Sequence, residues 1–273
     1  MDERKTGPEG LSTGERMATL GGAVTDAMQH KAKGEHETTD GARYRVPLSE
    51  VEALIADWPD APQRGARQML EQYGPPNEAT PTKLFWYNNG PWKRTVVTSD
   101  ILIHNFPAPH SDYITQWIDY KVPVEMFDAI GRYDGSCLVD RTAGEAGARC
   151  DSEAANMITL NLMHEIVTGK MSVEEARQAY AESVMGYSMG RSAPYAERLQ
   201  FDIPRGGTED PDEGMGVAPV VRQAAGKIKD LLTGEGSWRH LPGAPPPRLP
   251  DTNCCSWSEH ESLAPRQTCS IGQ

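Results

Sequence analysis

The sequence has no excess of basic residues in any region, and this absence limits the partners that it can bind. Its 273 residues include 27 Lys and Arg against 39 Asp and Glu, a formal net charge of −12. Proteins that bind nucleic acid or an anionic membrane surface concentrate Lys and Arg on one face. We therefore expect no nucleic-acid partner and no membrane partner.

Long apolar runs are also missing. No stretch approaches the roughly 18 apolar residues of a membrane span. The first 40 residues lack the apolar core of a secretory signal, since the segment from Met17 to Val24 is short and contains Gly21 and Gly22. We expect a cytoplasmic protein. Its five cysteines, an odd number, are then expected to be free thiols.

Aromatic residues are few and unevenly placed. Phe, Trp and Tyr make up 7% of the chain, and 16 of the 19 lie between Trp58 and Phe201. Large rings supply much of the buried area of a core, so their positions indicate where the chain folds. We predict one domain at residues 46–203, a disordered arm at 1–45, and a Pro/Gly-rich acidic tail at 204–273 with one candidate helix.

The middle region contains separate helical and strand patterns. Helices are predicted to begin near Ser49, Asp60, Asp151 and Ser172, where a capping residue precedes apolar residues at helical spacing. Consecutive hairpins with segregated helices indicate an α+β fold, a mainly antiparallel sheet of about five to six strands with helices packed on it. The strands are predicted at residues 84–87, 92–97, 101–106, 113–122, 136–141 and 145–150.

Three segments of this region resemble an uncharacterised conserved family of bacterial proteins. They are WYNNGPWKR at residues 86–94, DRTAGE at 140–145 and RCD at 149–151. The resemblance covers the middle domain and neither end of the chain. No activity is assigned to that family, so the resemblance implies a bacterial protein with one folded domain and adds no function.

Two histidines and an aspartate within nine residues form the first candidate site. His104, His110 and Asp112 offer imidazole and carboxylate groups, which are common transition-metal ligands. Pro107 and Pro109 stiffen the segment that joins the histidines. We interpret the three residues as candidate metal ligands. The structural alternative is that His104 is a partly buried histidine on a strand face, with its hydrogen bonds made within the fold.

A literal pattern of two histidines and one carboxylate is also given by His110, Asp112 and His164. A helix turns about 100° per residue, which places His164 opposite the apolar stripe of its predicted helix. We therefore predict that His164 is a solvated surface residue and not a ligand.

The second candidate site is a charged hairpin. A three-residue loop with Gly144 in the left-handed conformation sets Arg141 opposite Glu145, which predicts an ion pair worth about 0.2–1 kcal/mol. The same register predicts no disulfide between Cys137 and Cys150. The guanidinium groups of Arg141 and Arg149, predicted on one face of the hairpin, suit a small anion, and an ion-pair network satisfied within the hairpin is the structural alternative. The candidate ligand-binding residues are Asp140, Arg141, Glu145 and Arg149.

A third group of chemically reactive side chains lies near the end of the sequence. Adjacent Cys254 and Cys255, with His260 and Cys269, lack the cysteine spacing that zinc modules use. We interpret them as unstructured thiols. The chain also contains no Gly-x-Ser-x-Gly, phosphate-binding glycine loop or His-Glu-x-x-His sequence.

The sequence therefore favours a soluble α+β domain that binds a protein partner or a small anionic ligand, without an evident catalytic set. The alternative is a metal-dependent enzyme in which His104, His110 and Asp112 bind the metal and Arg141 or Arg149 orients an anionic substrate. The alternative requires the three candidate ligands to converge in space, and the sequence identifies no cofactor.

Overall fold

The computed structural model describes residues 11–37 and 40–214. The predicted helix near Val217 and the cysteines at 254, 255 and 269 lie outside the described residues. None of the helices in the described ranges has the length and apolarity needed to cross a membrane. The α-helices of these ranges are α1 (Thr13–Ala32), α2 (Leu48–Ile55), α3 (Asp60–Tyr73), α4 (Phe127–Tyr133), α5 (Glu153–Val167), α6 (Val173–Ser188) and α7 (Pro194–Glu197).

The strands form one six-stranded sheet in the order β1-β2-β3-β4-β6-β5. Every neighbouring pair is antiparallel, which confirms the predicted α+β fold. The strands are β1 (Glu78–Thr80), β2 (Lys83–Asn89), β3 (Trp92–His104), β4 (His110–Asp119), β5 (Cys137–Asp140) and β6 (Glu145–Cys150).

The helices cover one face of the sheet, because alternate strand residues on that face are apolar. Leu84, Val97 and Ile114 are fully buried in a cluster with α2 and α3. Further along, Ile118 and Ala148 are fully buried in a second cluster with α4, α5 and α6. The fold therefore has two adjacent cores on one side of a single sheet.

Three of the four predicted capping residues differ from the structure. Asp60 does not cap α3 but is its first residue, and Pro59 precedes it. α2 follows Pro47 rather than a capping Ser49, and no side chain caps its first turn. Ser152, not Asp151, caps α5 and accepts a hydrogen bond from the Ala155 N–H. Of the four, only α6 starts as predicted, with a reciprocal capping box at Ser172.

The predicted strands at 92–97 and 101–106 are a single strand, β3. Val97 pairs with Ile114 and Leu102 pairs with Asp112, so three extra residues of β3 form a bulge between them. A bulge preserves pairing where the sequence pattern indicates a turn. The hairpin then closes through residues 105–109, which include a cis Phe106–Pro107 bond. Because β3 continues past the bulge, its last residue reaches the start of β4.

Structure also extends beyond the predicted domain limits. α1 lies within the segment predicted to be disordered, and it is exposed along nearly its whole length. At the other limit, Asp212 accepts two hydrogen bonds from Arg141, at 2.7 and 2.5 Å. The Thr208 carbonyl lies so close to Gly144, at φ +65°, that a Cβ there would overlap it. Thr208 and Asp212 therefore contact the β5–β6 loop.

Candidate metal centre

His104, His110 and Asp112 converge at the end of the β3–β4 hairpin. His104 is the last residue of β3 and pairs directly with His110, the first residue of β4. One nitrogen from each imidazole and one oxygen of Asp112 lie within 4.8 Å of one another. Asp112 is 1% exposed and the two histidines are 17% and 18% exposed. The spatial convergence that the metal hypothesis required is present.

The outer nitrogen of each imidazole already faces an acceptor. His110 Nδ1 lies 2.8 Å from the Ala108 carbonyl oxygen, which can only accept, so Nδ1 carries the hydrogen. His104 Nε2 lies 3.5 Å from Asp134 Oδ1. Metal-binding histidines are held in this way, with one nitrogen donating outward and the other presenting its lone pair to the metal.

The inner atoms of the cluster lack sufficient partners. His104 Nδ1 and Asp112 Oδ1 are both buried without a hydrogen-bond partner. His110 Nε2 lies 3.2 Å from Asp112 Oδ1. Buried polar atoms without partners are rare and costly in native proteins. A proton added to one imidazole would give a partner to some of these three atoms. A cation bound between them would give a partner to all three.

The second oxygen of Asp112 is positioned by the segment between α4 and β5. Ser136 Oγ donates to Asp112 Oδ2 at 2.5 Å, and the Ser136 N–H donates to Asp134 Oδ1 at 2.7 Å. Burial raises the pKa of Asp134 above its ordinary value. Arg149 Nε lies 3.8 Å from Asp112 Oδ2. These three residues form a supporting shell around the candidate ligands.

Cys150 borders the cluster in surroundings that disfavour a nucleophilic thiol. Its Sγ lies 3.3 Å from His110 Nε2 and 3.8 Å from the Tyr180 hydroxyl. The side chain is buried, and burial, with the charges of Asp151 and Asp112, raises the pKa of the thiol. Reactive cysteines need the opposite environment, one that is electropositive and partly exposed. The arrangement therefore disfavours a cysteine–histidine catalytic pair.

A small cavity lies beside His110. Its volume is about 140 Å³, close to that of cavities which hold a benzene-sized molecule. His110, Cys150 and Asp151 form its polar side. Its remaining walls come from Pro107, Ala108, Pro109, Ala155, Tyr180 and Val184. A molecule bound at the cluster thus has an adjoining space of limited size.

The charged hairpin differs from the predicted register. Asp140, not Arg141, lies opposite Glu145, and Cys137 lies opposite Ala148. The predicted Arg141–Glu145 ion pair is therefore wrong. The loop has four residues, and its last one, Gly144, takes the predicted left-handed conformation and lies against the Thr208 carbonyl. Cys137 and Cys150 are both free thiols.

The four predicted ligand-binding residues do not form one site. Arg141 binds Asp212, and Arg149 joins the histidine cluster. Asp140 and Glu145 line a separate cavity of about 670 Å³. Two cations that the sequence did not single out, Lys93 and Arg94, lie in that cavity and contact Glu145 at 2.8 Å. The cations there are already paired, so this cavity gives weaker support for an anion site.

Replacing Glu145 with glutamine is expected to destabilise the fold by about 2 kcal/mol near neutral pH. Burial raises the pKa of Glu145, but Arg94 and Lys93 outweigh it and hold the pKa below the usual value. A lowered folded pKa gives stability that is present above the unfolded pKa of about 4.3 and lost as pH falls through the folded value. Urea unfolding between pH 3 and 7 measures this, with exposed Glu71→Gln as the control. A loss independent of pH contradicts the prediction.

His164 is not the solvated residue that its helical position predicted. Its Nδ1 lies 2.8 Å from the Tyr120 hydroxyl, and its ring stacks on Phe201 at 4.3 Å between centroids. Burial, with Lys170, lowers its pKa. Phe201 comes from the segment after α7 and covers the outward side of α5, a long-range contact that helical periodicity does not reveal. His164 is absent from the metal-ligand group.

Comparison of the chain with protein-family models, curated proteins and solved structures finds no match. The resemblance to a bacterial family stays a prediction, and the functional interpretation depends on the geometry of the site.

Proposed function

We propose that the protein is a metal-dependent enzyme that binds one divalent transition-metal ion through His104, His110 and Asp112. The observation that carries this proposal is the convergence of three potential ligand atoms, of which His104 Nδ1 and Asp112 Oδ1 are buried without hydrogen-bond partners. Two imidazoles and one carboxylate suit zinc and iron(II).

Ion pairing alone is the simpler explanation, but it accounts for fewer contacts. Protonated histidines beside Asp112 would explain the carboxylate. A protonated imidazole donates from both nitrogens, so it would also account for the outer contacts with Ala108 and Asp134. It would not give His104 Nδ1 a partner, because the Asp112 oxygen that faces it lies 3.6 Å away, beyond hydrogen-bond distance. A metal ion bound between the imidazoles and Asp112 would give each inner atom a partner while the outer nitrogens keep their acceptors.

A catalytic role is favoured over a structural one by the number of ligands. Structural zinc sites are closed by four protein ligands, whereas catalytic sites use three and leave a position for water or substrate. The small cavity beside His110 provides room at such a position. A metal ion there would activate a bound water or polarise a substrate oxygen. This geometry supports the enzyme alternative over partner binding, which the sequence had favoured.

Zinc titration of the metal-free full-length chain by calorimetry tests the proposal. The wild-type protein is expected to bind one equivalent more than His110→Ala, with the affinity at that site reduced at least about 100-fold in the variant. Loss of an imidazole removes a ligand and leaves two. Cys254, Cys255 and Cys269 are present in both proteins, so any zinc that they bind cancels in the difference.

His36→Ala provides the matched control, because His36 is an exposed histidine whose ion-pair neighbour is Glu209. It is expected to bind zinc as the wild type does. Equal stoichiometry and affinity in the wild-type and His110→Ala proteins would overturn the proposed metal centre.

A further inference from the structure

The small cavity beside His110 is built from separate parts of the fold. The start of α5 contributes Ala155, α6 contributes Tyr180 and Val184, and the β3–β4 connection contributes residues 107–109. Tyr180 is 2% exposed and Ala155 8%, so the inner side of the cavity belongs to the protein interior. Tyr180 and Val184 are four residues apart and therefore share one face of α6. The side chain of Ala155 is a single methyl group, which leaves the space between α5 and α6 open.

The outer wall of the cavity is held in place by Phe106. The Phe106 ring packs against the Tyr180 ring, with 5.2 Å between their centroids. The Arg177 guanidinium lies 3.7 Å from the centroid of the Phe106 ring and also donates to the Tyr133 carbonyl oxygen at 2.6 Å. Ring contacts and cation–π contacts of this kind stabilise a defined arrangement. The β3–β4 connection is therefore held against α6, and the cavity is formed before any ligand binds, as most ligand pockets are.

The walls of the cavity suit a neutral apolar group. Apart from His110, Cys150 and Asp151, the residues that line it are proline, alanine, valine and tyrosine. No Lys or Arg is among them, so a buried anionic group would have no cationic partner there. The volume of about 140 Å³ is close to that of a protein cavity that holds benzene. The Tyr180 ring in the wall can also make an aromatic contact with a bound ring.

The cavity adjoins the candidate metal centre through His110 and Cys150. Both residues line the cavity, and Cys150 Sγ lies 3.3 Å from His110 Nε2. That nitrogen is the inner one, which faces Asp112 at 3.2 Å. A ligand whose ring fills the cavity therefore has the atoms attached to its ring close to the candidate metal ligands.

We propose, resting on the proposed metal centre, that this cavity is the specificity pocket of the enzyme and binds a phenyl-sized apolar group of the substrate. The polar group attached to the ring then lies at the open position of the metal ion. The substrates are accordingly small compounds with one aromatic ring and an oxygen-bearing group next to it. Burial of the ring provides the binding free energy, and Ala155 and Val184 limit the size of the ring that fits.

Titration of the cobalt(II)-loaded full-length protein with two hydroxamic acids, followed by visible absorption, tests the pocket. Acetohydroxamic acid and benzohydroxamic acid present the same chelating group to the ion and differ in a methyl or a phenyl substituent. The spectrum of His110→Ala is subtracted to remove cobalt bound elsewhere. The wild-type protein is expected to bind benzohydroxamic acid about 10- to 100-fold more tightly, because the phenyl group buries more apolar surface.

Val184→Phe and Ala155→Leu each fill the cavity, from two different helices. Both are expected to reduce the preference for benzohydroxamic acid to less than about threefold, since the space for the ring is occupied. The preference is a ratio of two affinities in one protein, so a changed cobalt affinity cancels. Val124→Phe is the matched control, because Val124 is 56% exposed and does not line the cavity. It is expected to keep the wild-type preference.

Two results separate this proposal from the metal centre on which it rests. Equal binding of the two acids by the wild-type protein, or an unchanged preference in Val184→Phe and Ala155→Leu, overturns the pocket and leaves the metal centre standing. A wild-type cobalt spectrum identical to that of His110→Ala overturns both proposals. The comparison of the two acids in the wild-type protein needs no variant of the pocket, so it decides the question even where a filling substitution impairs folding.

Discussion

Replacing Glu153 with alanine is expected to lower the free energy of unfolding by about 3–5 kcal/mol. Glu153 is the first residue of α5, and its carboxylate accepts hydrogen bonds from three elements of the fold. The Tyr73 hydroxyl of α3 donates at 2.8 Å, Trp92 Nε1 of β3 at 3.0 Å and Gln116 Nε2 of β4 at 2.9 Å.

The donors that surround Glu153 explain the size of the effect. Trp92 and Gln116 are almost fully buried, so removal of the carboxylate leaves their N–H groups without an acceptor and without water. Tyr73 would also lose its acceptor. Burial first, and then the negative charge of Glu153, raise the pKa of Tyr73, which therefore stays a neutral donor. The carboxylate links the α3 side of the sheet to the α5 side.

Urea denaturation of the wild-type, Glu153→Ala and Glu71→Ala proteins measures the difference. Glu71 is an exposed residue of α3 and is expected to change stability by less than about 0.5 kcal/mol. Glu153→Gln keeps the shape of the side chain but presents N–H groups to some of the donors. Its loss of unfolding free energy is therefore expected to lie between those of Glu71→Ala and Glu153→Ala. If Glu153→Ala lowers the free energy of unfolding by less than about 1 kcal/mol, it behaves nearly like an ordinary surface substitution. That result contradicts the role given to this carboxylate.

The sequence predicted the fold class because apolar periodicity is a local property. Aromatic and β-branched content between turn residues identified the strands, and helical spacing of apolar residues identified α5 and α6. What it missed depends on distant contacts. The register of the β5–β6 hairpin is set partly by Thr208, more than 60 residues beyond Gly144, which packs on the loop. The continuity of β3 depends on β4, which pairs on both sides of the bulge.

The candidate ligands could be nominated from the sequence because they lie within one hairpin. His104, His110 and Asp112 are close in the chain, so local spacing and two prolines were sufficient to single them out. The supporting residues come from elsewhere: Asp134 follows α4, and Arg149 lies on β6. No sequence spacing relates these residues to the hairpin. The order of strands in the sheet brings them together, and that order is a property of the whole fold.

Zinc at about 100 times its dissociation constant is expected to stabilise the wild-type protein by about 2.7 kcal/mol. For a domain of this size that corresponds to a rise in Tm of about 5–10 °C. The physical reason is that the ion binds an arrangement which exists only in the folded chain, and there it supplies the missing partner of two buried atoms, His104 Nδ1 and Asp112 Oδ1.

Differential scanning calorimetry of the wild-type and Asp112→Asn proteins, each with and without zinc, separates this effect from other zinc binding. An asparagine at position 112 keeps the size of the side chain and an oxygen for the Ser136 hydroxyl, but it removes the negative charge that a divalent ion needs. Zinc is therefore expected to leave the Tm of Asp112→Asn nearly unchanged. Zinc bound by cysteines of the unfolded chain lowers stability equally in both proteins. An equal rise in both would mean that the ion binds outside the cluster, since only the cluster differs between them.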